Sequence, residues 1–135
     1  MITEDYISLE TAKLLKEKGF DEATIGYYYT ISEIPEKIKF FDSPISIYYS
    51  EGLIGCIQAP TLQMAMKWLR KEHNLAISVS VTVDGWHSYV SQIKLDSEGF
   101  VVDIIDGIDN GNIPNYGTYE EACEAAIKYC LENLI

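Results

Sequence analysis

Ile77-Ser-Val-Ser-Val-Thr-Val-Asp-Gly85 alternates apolar and polar residues without a break and ends on a turn dipeptide. Successive strand side chains point to opposite faces, so Ile77, Val79, Val81 and Val83 share one face and Ser78, Ser80 and Thr82 the other. That is the pattern of an antiparallel sheet with one wet face. Asp84-Gly85 reads as the centre of a type I′ hairpin turn. Trp86–Leu95 is the expected return strand, and Asp96-Ser-Glu-Gly99 leads into a third strand at Phe100–Ile105. Three consecutive antiparallel strands make a meander.

Helices flank this meander. Thr61-Leu-Gln-Met-Ala-Met-Lys-Trp-Leu-Arg-Lys71 carries an apolar stripe of Leu62, Ala65, Met66 and Leu69, with Lys67, Arg70 and Lys71 facing water and Asn74 as the stop. Thr61 is the expected start, although Pro60 also suits a first helical position. Thr118-Tyr-Glu-Glu121 is a capping box, opening a helix whose buried stripe is Tyr119, Ala122, Cys123, Ala126, Ile127, Cys130 and Leu134.

Towards the N-terminus, Ser8 is the expected cap of a short helix, with Ile7 stapled against Ala12. Gly19 should end it in a left-handed conformation, with Phe20 folding back. Residues 24–31 then alternate Ile25, Tyr27, Tyr29 and Ile31 against Gly26, Tyr28 and Thr30. The first set is the more apolar and is expected to face the core. Ser32 to Pro44 reads as a loop with a short extended piece at Ile38–Phe41. Ile45–Tyr49 and Leu53–Ile57 read as a hairpin around Ser50-Glu51-Gly52.

The expected fold is therefore α+β: antiparallel sheets with three helices in the order α-βββ-α-βββ-α, forming one domain over residues 1–135. The order suggests two copies of an αβββ unit.

Charge narrows the function classes. The net charge is -11, and residues 72–135 set eleven acids against Lys94 and Lys128. Such a field repels phosphate backbones, and no Lys/Arg cluster is expected to offset it, so nucleic acid is an unexpected partner. The acids at 96, 98, 103, 106, 109, 120, 121 and 124 would share one face if they served a basic protein partner. No run approaches the roughly 20 apolar residues of a membrane helix. The N-terminus lacks the pattern of a secretory signal, which points to the cytoplasm. Cys56, Cys123 and Cys130 fit buried apolar roles better than a disulfide framework.

Catalytic motifs are wanting. There is no phosphate-binding glycine loop, no H-E-x-x-H and no C-x-x-C. His73 and His87 lie in different elements, and Asp106–Asn112 matches a calcium loop poorly, since Ile108 and Gly117 fall where ligands belong. No catalytic residue, metal or cofactor is expected. The surplus of aromatics is more informative. One tyrosine of each run, Tyr27-Tyr28-Tyr29 and Tyr48-Tyr49, must lie off the core face. Tyr28, Tyr48, Trp68 and Trp86 are the candidate interaction surface if they are exposed together, because grouped exposed aromatics mark binding sites, and are structural if they cover one another across strands.

The segments Ala59–Asn74 and Thr118–Lys128, with the opening Ser8-Leu-Glu-Thr-Ala-Lys-Leu-Leu-Lys-Glu-Lys-Gly-Phe-Asp21, resemble a group of small uncharacterised proteins of gut Bacteroidetes-type bacteria and their phages or mobile elements. The resemblance implies a phage-related, cytoplasmic setting and brings no catalytic residue. The expected function is a non-catalytic protein-interaction domain, with a basic protein or a second copy as partner. The alternative is a small-molecule binder or minor enzyme with a Tyr- and Trp-lined pocket containing His87 or Cys56.

Overall fold

A computed structural model describes residues 1–45, 55–105 and 115–135, and for 100–105 the backbone. The fold is α+β, with three helices and two antiparallel sheets in the expected order. The chain divides into two compact units, Met1–Met64 and Ala65–Ile135, and the division falls within the second helix.

The first unit begins with α1 (Leu9–Glu17). Ser8 caps it, its hydroxyl accepting from the Thr11 amide at 3.3 Å. Its end closes as the sequence predicts. Gly19 takes a φ of 91°, the Gly19 amide donates to the Lys16 carbonyl and the Phe20 amide to that of Leu15. Ile7, Ala12 and Leu15 are fully buried, and α1 lies against β3.

The sheet of this unit has β1 (Thr24–Tyr29) at its centre, between β2 (Lys39–Ile45) and β3 (Cys56–Ala59). Two expectations change here. The extended piece expected at Ile38–Phe41 is part of a longer strand that runs through Pro44: β2 is an outer strand of the sheet, where a residue without an N–H is tolerated. It is also irregular, since Thr24 pairs with Ile45 and Gly26 with Phe40, leaving Phe41–Pro44 opposite Ile25 alone. Next, β2 and β3 each pair with β1, and the hairpin expected between Ile45–Tyr49 and Leu53–Ile57 lies mostly outside the described residues. Finally, the inward face of β1 is the opposite of the one expected. Thr24, Gly26 and Tyr28 are buried, while Ile25 is 41% exposed and Ile31 66%.

The cause of that inversion is a ring from elsewhere in the chain. A Cβ on Gly26 would stand 2.6 Å from the Ala59 carbonyl oxygen and 3.0 Å from the Tyr6 ring. Only glycine leaves room for Tyr6 on that face, and Tyr28 on the same face completes the cover. The chain before α1 is held there by backbone bonds from the Ile7 amide to the Pro60 carbonyl and from the Leu62 amide to that of Asp5.

Across the division runs α2 (Leu62–His73), capped by Thr61, whose hydroxyl accepts from the Met64 amide at 3.1 Å. Leu62, Ala65, Met66 and Leu69 are buried as their spacing predicts, and Asn74 ends the helix at a φ of 55°.

In the second unit β4 (Leu75–Thr82), β5 (Gly85–Asp96) and β6 (Gly99–Ile105) form the meander in sequence order. The first sheet has its earliest strand in the middle. The two αβββ stretches therefore share an element order but, among the described strands, not a strand order. The β4–β5 turn is also differently built from expectation. Thr82 pairs with Gly85, so Val83-Asp84 is the loop, and among described residues Asn74 is the non-glycine with positive φ. A β-branched residue resists positive φ, which excludes a type I′ turn centred on Val83. Gly85 supplies the positive φ, 129°, just after the loop. The β5–β6 turn repeats the design: Asp96 pairs with Gly99 at φ 128°, and the Asp96 carboxylate accepts from the Glu98 amide.

One face of this sheet, carrying Leu75, Ser88 and Val90, is buried, and α3 (Tyr119–Asn133) packs on β4 and β5. Its buried residues are Ala122, Cys123, Ala126, Ile127, Cys130 and Leu131. Leu131 takes the place expected of Leu134, which is half-buried. Burying a side chain such as Ile127 or Leu131 contributes about 1.5–3 kcal/mol, enough to dock a helix of this length. The capping box is displaced by one residue: Thr118 accepts from the Glu121 amide, but the Glu121 carboxylate takes the amide of Gly117. Trp86 and Tyr116 exchange both backbone hydrogen bonds at 2.9 Å, pinning the entry to α3 beside the start of β5.

Candidate binding groove

The aromatic residues expected at the surface are mostly not there. Tyr28 is 6% exposed, and its hydroxyl donates to the Ile7 carbonyl at 2.6 Å. Trp68 is 7% exposed, its ring edge-on to His73. Half-buried Trp86 packs edge-to-face on Tyr119, with centroids 5.7 Å apart. Tyr48 lies outside the described residues. Among the described residues, Tyr28, Trp68 and Trp86 each have a cover for the hydrophobic body and, for Tyr28, a partner for its polar tip.

The tyrosines that do face outward are Tyr27 and Tyr29. Tyr27 stacks on Phe41 at 4.1 Å, and the Lys39 ammonium lies 5.5 Å from the Tyr29 ring centroid. These rings cover one another across strands, which is a structural use. Beneath them the buried amide of Gln58 donates to the carbonyls of Glu22 and Ile45, so both of its N–H groups are engaged.

Neither histidine is part of a metal or nucleophile arrangement among the described residues. His87 Nε2 lies 2.8 Å from the Thr82 hydroxyl on the wet face of the second sheet. No group of three or more His, Cys, Asp or Glu that could hold a metal occurs among the described residues. The Asp106–Asn112 segment compared with a calcium loop lies outside them. All three cysteines are free and buried. Burial pushes the Cys56 thiol up, with Lys39 partly offsetting it. Burial likewise raises Cys123 against a hydrogen bond from Tyr119, and lifts Cys130 to about 12. Protonated thiols are poor nucleophiles.

Among the described residues, the acids expected on one face fall in separate places. Glu120 and Glu121 open α3 beside Trp86, whereas Asp96 and Glu98 flank the turn at the far end of β5. Ten residues of extended strand separate those ends, roughly 33 Å. Asp106, Asp109 and the side chain of Asp103 lie outside what is described.

What the sequence did not disclose is a groove in the first unit, of about 320 Å³. It is formed where the N-terminal segment, the start of β1, the bulged end of β2 and the first turn of α2 meet. Tyr6, Ile25, Pro44, Pro60 and Met64 provide its apolar walls, and Glu4 its charge. Ile25 and Met64 are 41% and 39% exposed. The bulge explains Ile25: with Phe41–Pro44 arching past it, no cross-strand neighbour covers this side chain. Neither His87 nor Cys56 lines the groove.

No protein family, curated protein or solved structure matches this chain. No described helix is long and apolar enough to cross a membrane.

Proposed function

We propose that the protein is a non-catalytic, cytoplasmic binding domain that receives an apolar side chain of a protein partner in the groove of its first unit. The observation that carries this reading is the pair Ile25 and Met64, large apolar residues left open at the mouth of a depression walled by Tyr6 and prolines. Apolar surface kept exposed in a concave setting is the usual mark of a contact site. Glu4 at the rim favours a partner with a basic residue beside its apolar one. The phage-related setting implied by the sequence resemblance remains part of this proposal.

A second reading has its own support. A volume of about 320 Å³ reaches the lower end of the range for small-molecule sites. The two are separated by Met64→Asp and Ile25→Asp, exposed substitutions compatible with folding. Retention of a partner from host lysate, lost in both variants and mapped by hydrogen exchange to Tyr6, Ile25 and Met64, supports the protein-binding reading. Retention unchanged in both variants sinks it. Saturable calorimetric binding of a small apolar amine, abolished by the same substitutions, would establish the alternative.

A further inference from the structure

The outer strands of the two sheets are unequally guarded. An outer strand leaves a row of backbone N–H and C=O groups open to pairing, and charges, proline, bulges or shortness blunt it. In the first sheet β2 carries Lys39, Asp42 and Pro44 and a bulge, and β3 is four residues long and buried throughout. In the second, β6 carries Asp103. β4 has none of these devices: from Leu75 to Val83 there is no charge, proline or glycine. Among the described residues no strand pairs with its outer side.

The ladder with β5 fixes which backbone groups point outward. The Ile93 amide donates to the Asn74 carbonyl at 2.9 Å, so these two residues are a hydrogen-bonded pair. Such pairs alternate along an antiparallel ladder. Ala76, Ser78, Ser80 and Thr82 therefore bond to β5, while Leu75, Ile77, Val79 and Val81 direct their N–H and C=O groups to the outer side. Trp86, opposite Val81, agrees with this, since it exchanges its backbone bonds with Tyr116. Ser78 and Ser80 are exposed, Val81 is 61% exposed and Val83 fully so.

We propose that the protein self-associates edge to edge, β4 of one copy pairing antiparallel with β4 of a second copy about a two-fold axis at Val79. In that register the strand is complementary to itself. Ile77 comes opposite Val81 and Leu75 opposite Val83, while on the other face Ser78 comes opposite Ser80 and Ala76 opposite Thr82. Apolar and β-branched residues thus meet their own kind across the strands, and hydroxyl meets hydroxyl. Asp84, the acid at the end of the strand, comes opposite Asn74, so no like charges face each other although each copy carries -11. A strand from a charged partner would find no counter-charge here, whereas a second copy of β4 needs none. The two three-stranded sheets become one. Its outer strands are then both β6 with Asp103, and the isologous contact closes as a pair instead of growing into a fibre. The contact lies in the second unit and makes no use of the groove.

Sedimentation equilibrium of the full chain over roughly 1 μM to 1 mM, with hydrogen exchange at both ends of the range, tests this. The unaltered protein is expected to dimerise. The amides of Ile77, Val79 and Val81 should be protected in the dimer and exchange readily on dilution. Those of Ser78 and Ser80 should stay protected in both states, because β5 holds them. Val79→Pro removes an outward N–H that the ladder with β5 does not use, which an outer strand tolerates. It should weaken dimerisation ~10-fold or more through the lost backbone bonds. Ser78→Lys/Ser80→Lys sets lysine against lysine and should weaken it as well, even though the variant is less negative overall. Ser78→Glu/Ser80→Glu should do the same, and an equimolar mixture of the two should associate as a mixed pair. A monomer throughout the range overturns the proposal, as does a dimer unmoved by the lysine variant. So does a dimer whose Ile77, Val79 and Val81 amides exchange as fast as in the monomer. Protection of those amides in the monomer would show the edge covered within the chain and overturns it too. Failure of the mixture, with both variants folded by circular dichroism, overturns the pairing about Val79. Should Val79→Pro not fold, the serine variants, at exposed positions, still decide.

Discussion

The hydroxyl of Tyr28 donates to the carbonyl of Ile7 at 2.6 Å, joining the central strand of the first sheet to the residue that precedes the cap of α1. Both residues are buried, so the bond is closed to water. Tyr28→Phe keeps the ring but leaves that carbonyl without its buried donor. The expected loss is about 1–2 kcal/mol in urea unfolding, because a buried unsatisfied group costs its desolvation. Tyr28→Ala removes the ring as well and should cost about 3–5 kcal/mol. A Phe variant as stable as the parent would mean that the Ile7 carbonyl finds another partner.

Gly26 is the residue that permits this packing. Its added Cβ would meet a backbone oxygen at 2.6 Å and the Tyr6 ring at 3.0 Å. Gly26→Ala should lower stability by about 1–3 kcal/mol through overpacking, with no contribution from a left-handed φ. The harder obstacle is the Ala59 carbonyl, not the ring. Adding Tyr6→Ala should therefore fail to rescue Gly26→Ala, and a double-mutant cycle showing recovery would place the strain on Tyr6 instead.

The same pair explains what was legible beforehand. Local signals survived intact: Ser8, Gly19, Asn74 and Thr118 begin or end helices where their chemistry says, because caps depend on neighbours within a few residues. The second turn of the meander falls at Asp96–Gly99 as its sequence indicates, and the first falls one residue earlier than expected, on Val83-Asp84. The inward face of β1 was not readable. Ile25, Tyr27, Tyr29 and Ile31 form the greasier set, yet a distant ring over Gly26 selects the other. A strand shifted in parity by one exposes every residue expected inside, which is how Tyr28 exchanged places with Tyr27 and Tyr29. The groove was hidden for a related reason. Its walls come from four separate stretches, and the bulge that uncovers Ile25 exists only as a mismatch between strands.

The two meander turns offer a controlled comparison. Gly85 and Gly99 have nearly the same φ, 129° and 128°, but different surroundings. A Cβ on Gly99 meets nothing within 4 Å, whereas one on Gly85 stands 2.9 Å from the Tyr116 carbonyl oxygen. Gly99→Ala should show backbone strain alone, about 1–2 kcal/mol. Gly85→Ala should cost more, because the displaced carbonyl is the one that accepts from the Trp86 amide. Hydrogen exchange at Trp86 should accelerate in Gly85→Ala and stay unchanged in Gly99→Ala. Equal costs for the two would show that the Trp86–Tyr116 bridge yields freely.

Stability should fall on the alkaline side through the thiols of α3. Burial lifts Cys130 to about 12 and raises Cys123 as well, so the folded chain keeps protons that the unfolded chain releases from about pH 9 upward. The unfolded state then binds fewer protons than the native one, and the free energy of unfolding decreases as pH rises. The thiol contribution is fully present below the unfolded pKa and is lost progressively between about pH 9 and 12. Urea unfolding across that window should show the decline, and Cys130→Ala should make it shallower while lowering stability at neutral pH by the lost packing. Native thiols should correspondingly react slowly with a thiol reagent at pH 8 and all three rapidly once unfolded. A fast native reaction at Cys130, identified by peptide mapping, would contradict its place in the core beneath α3.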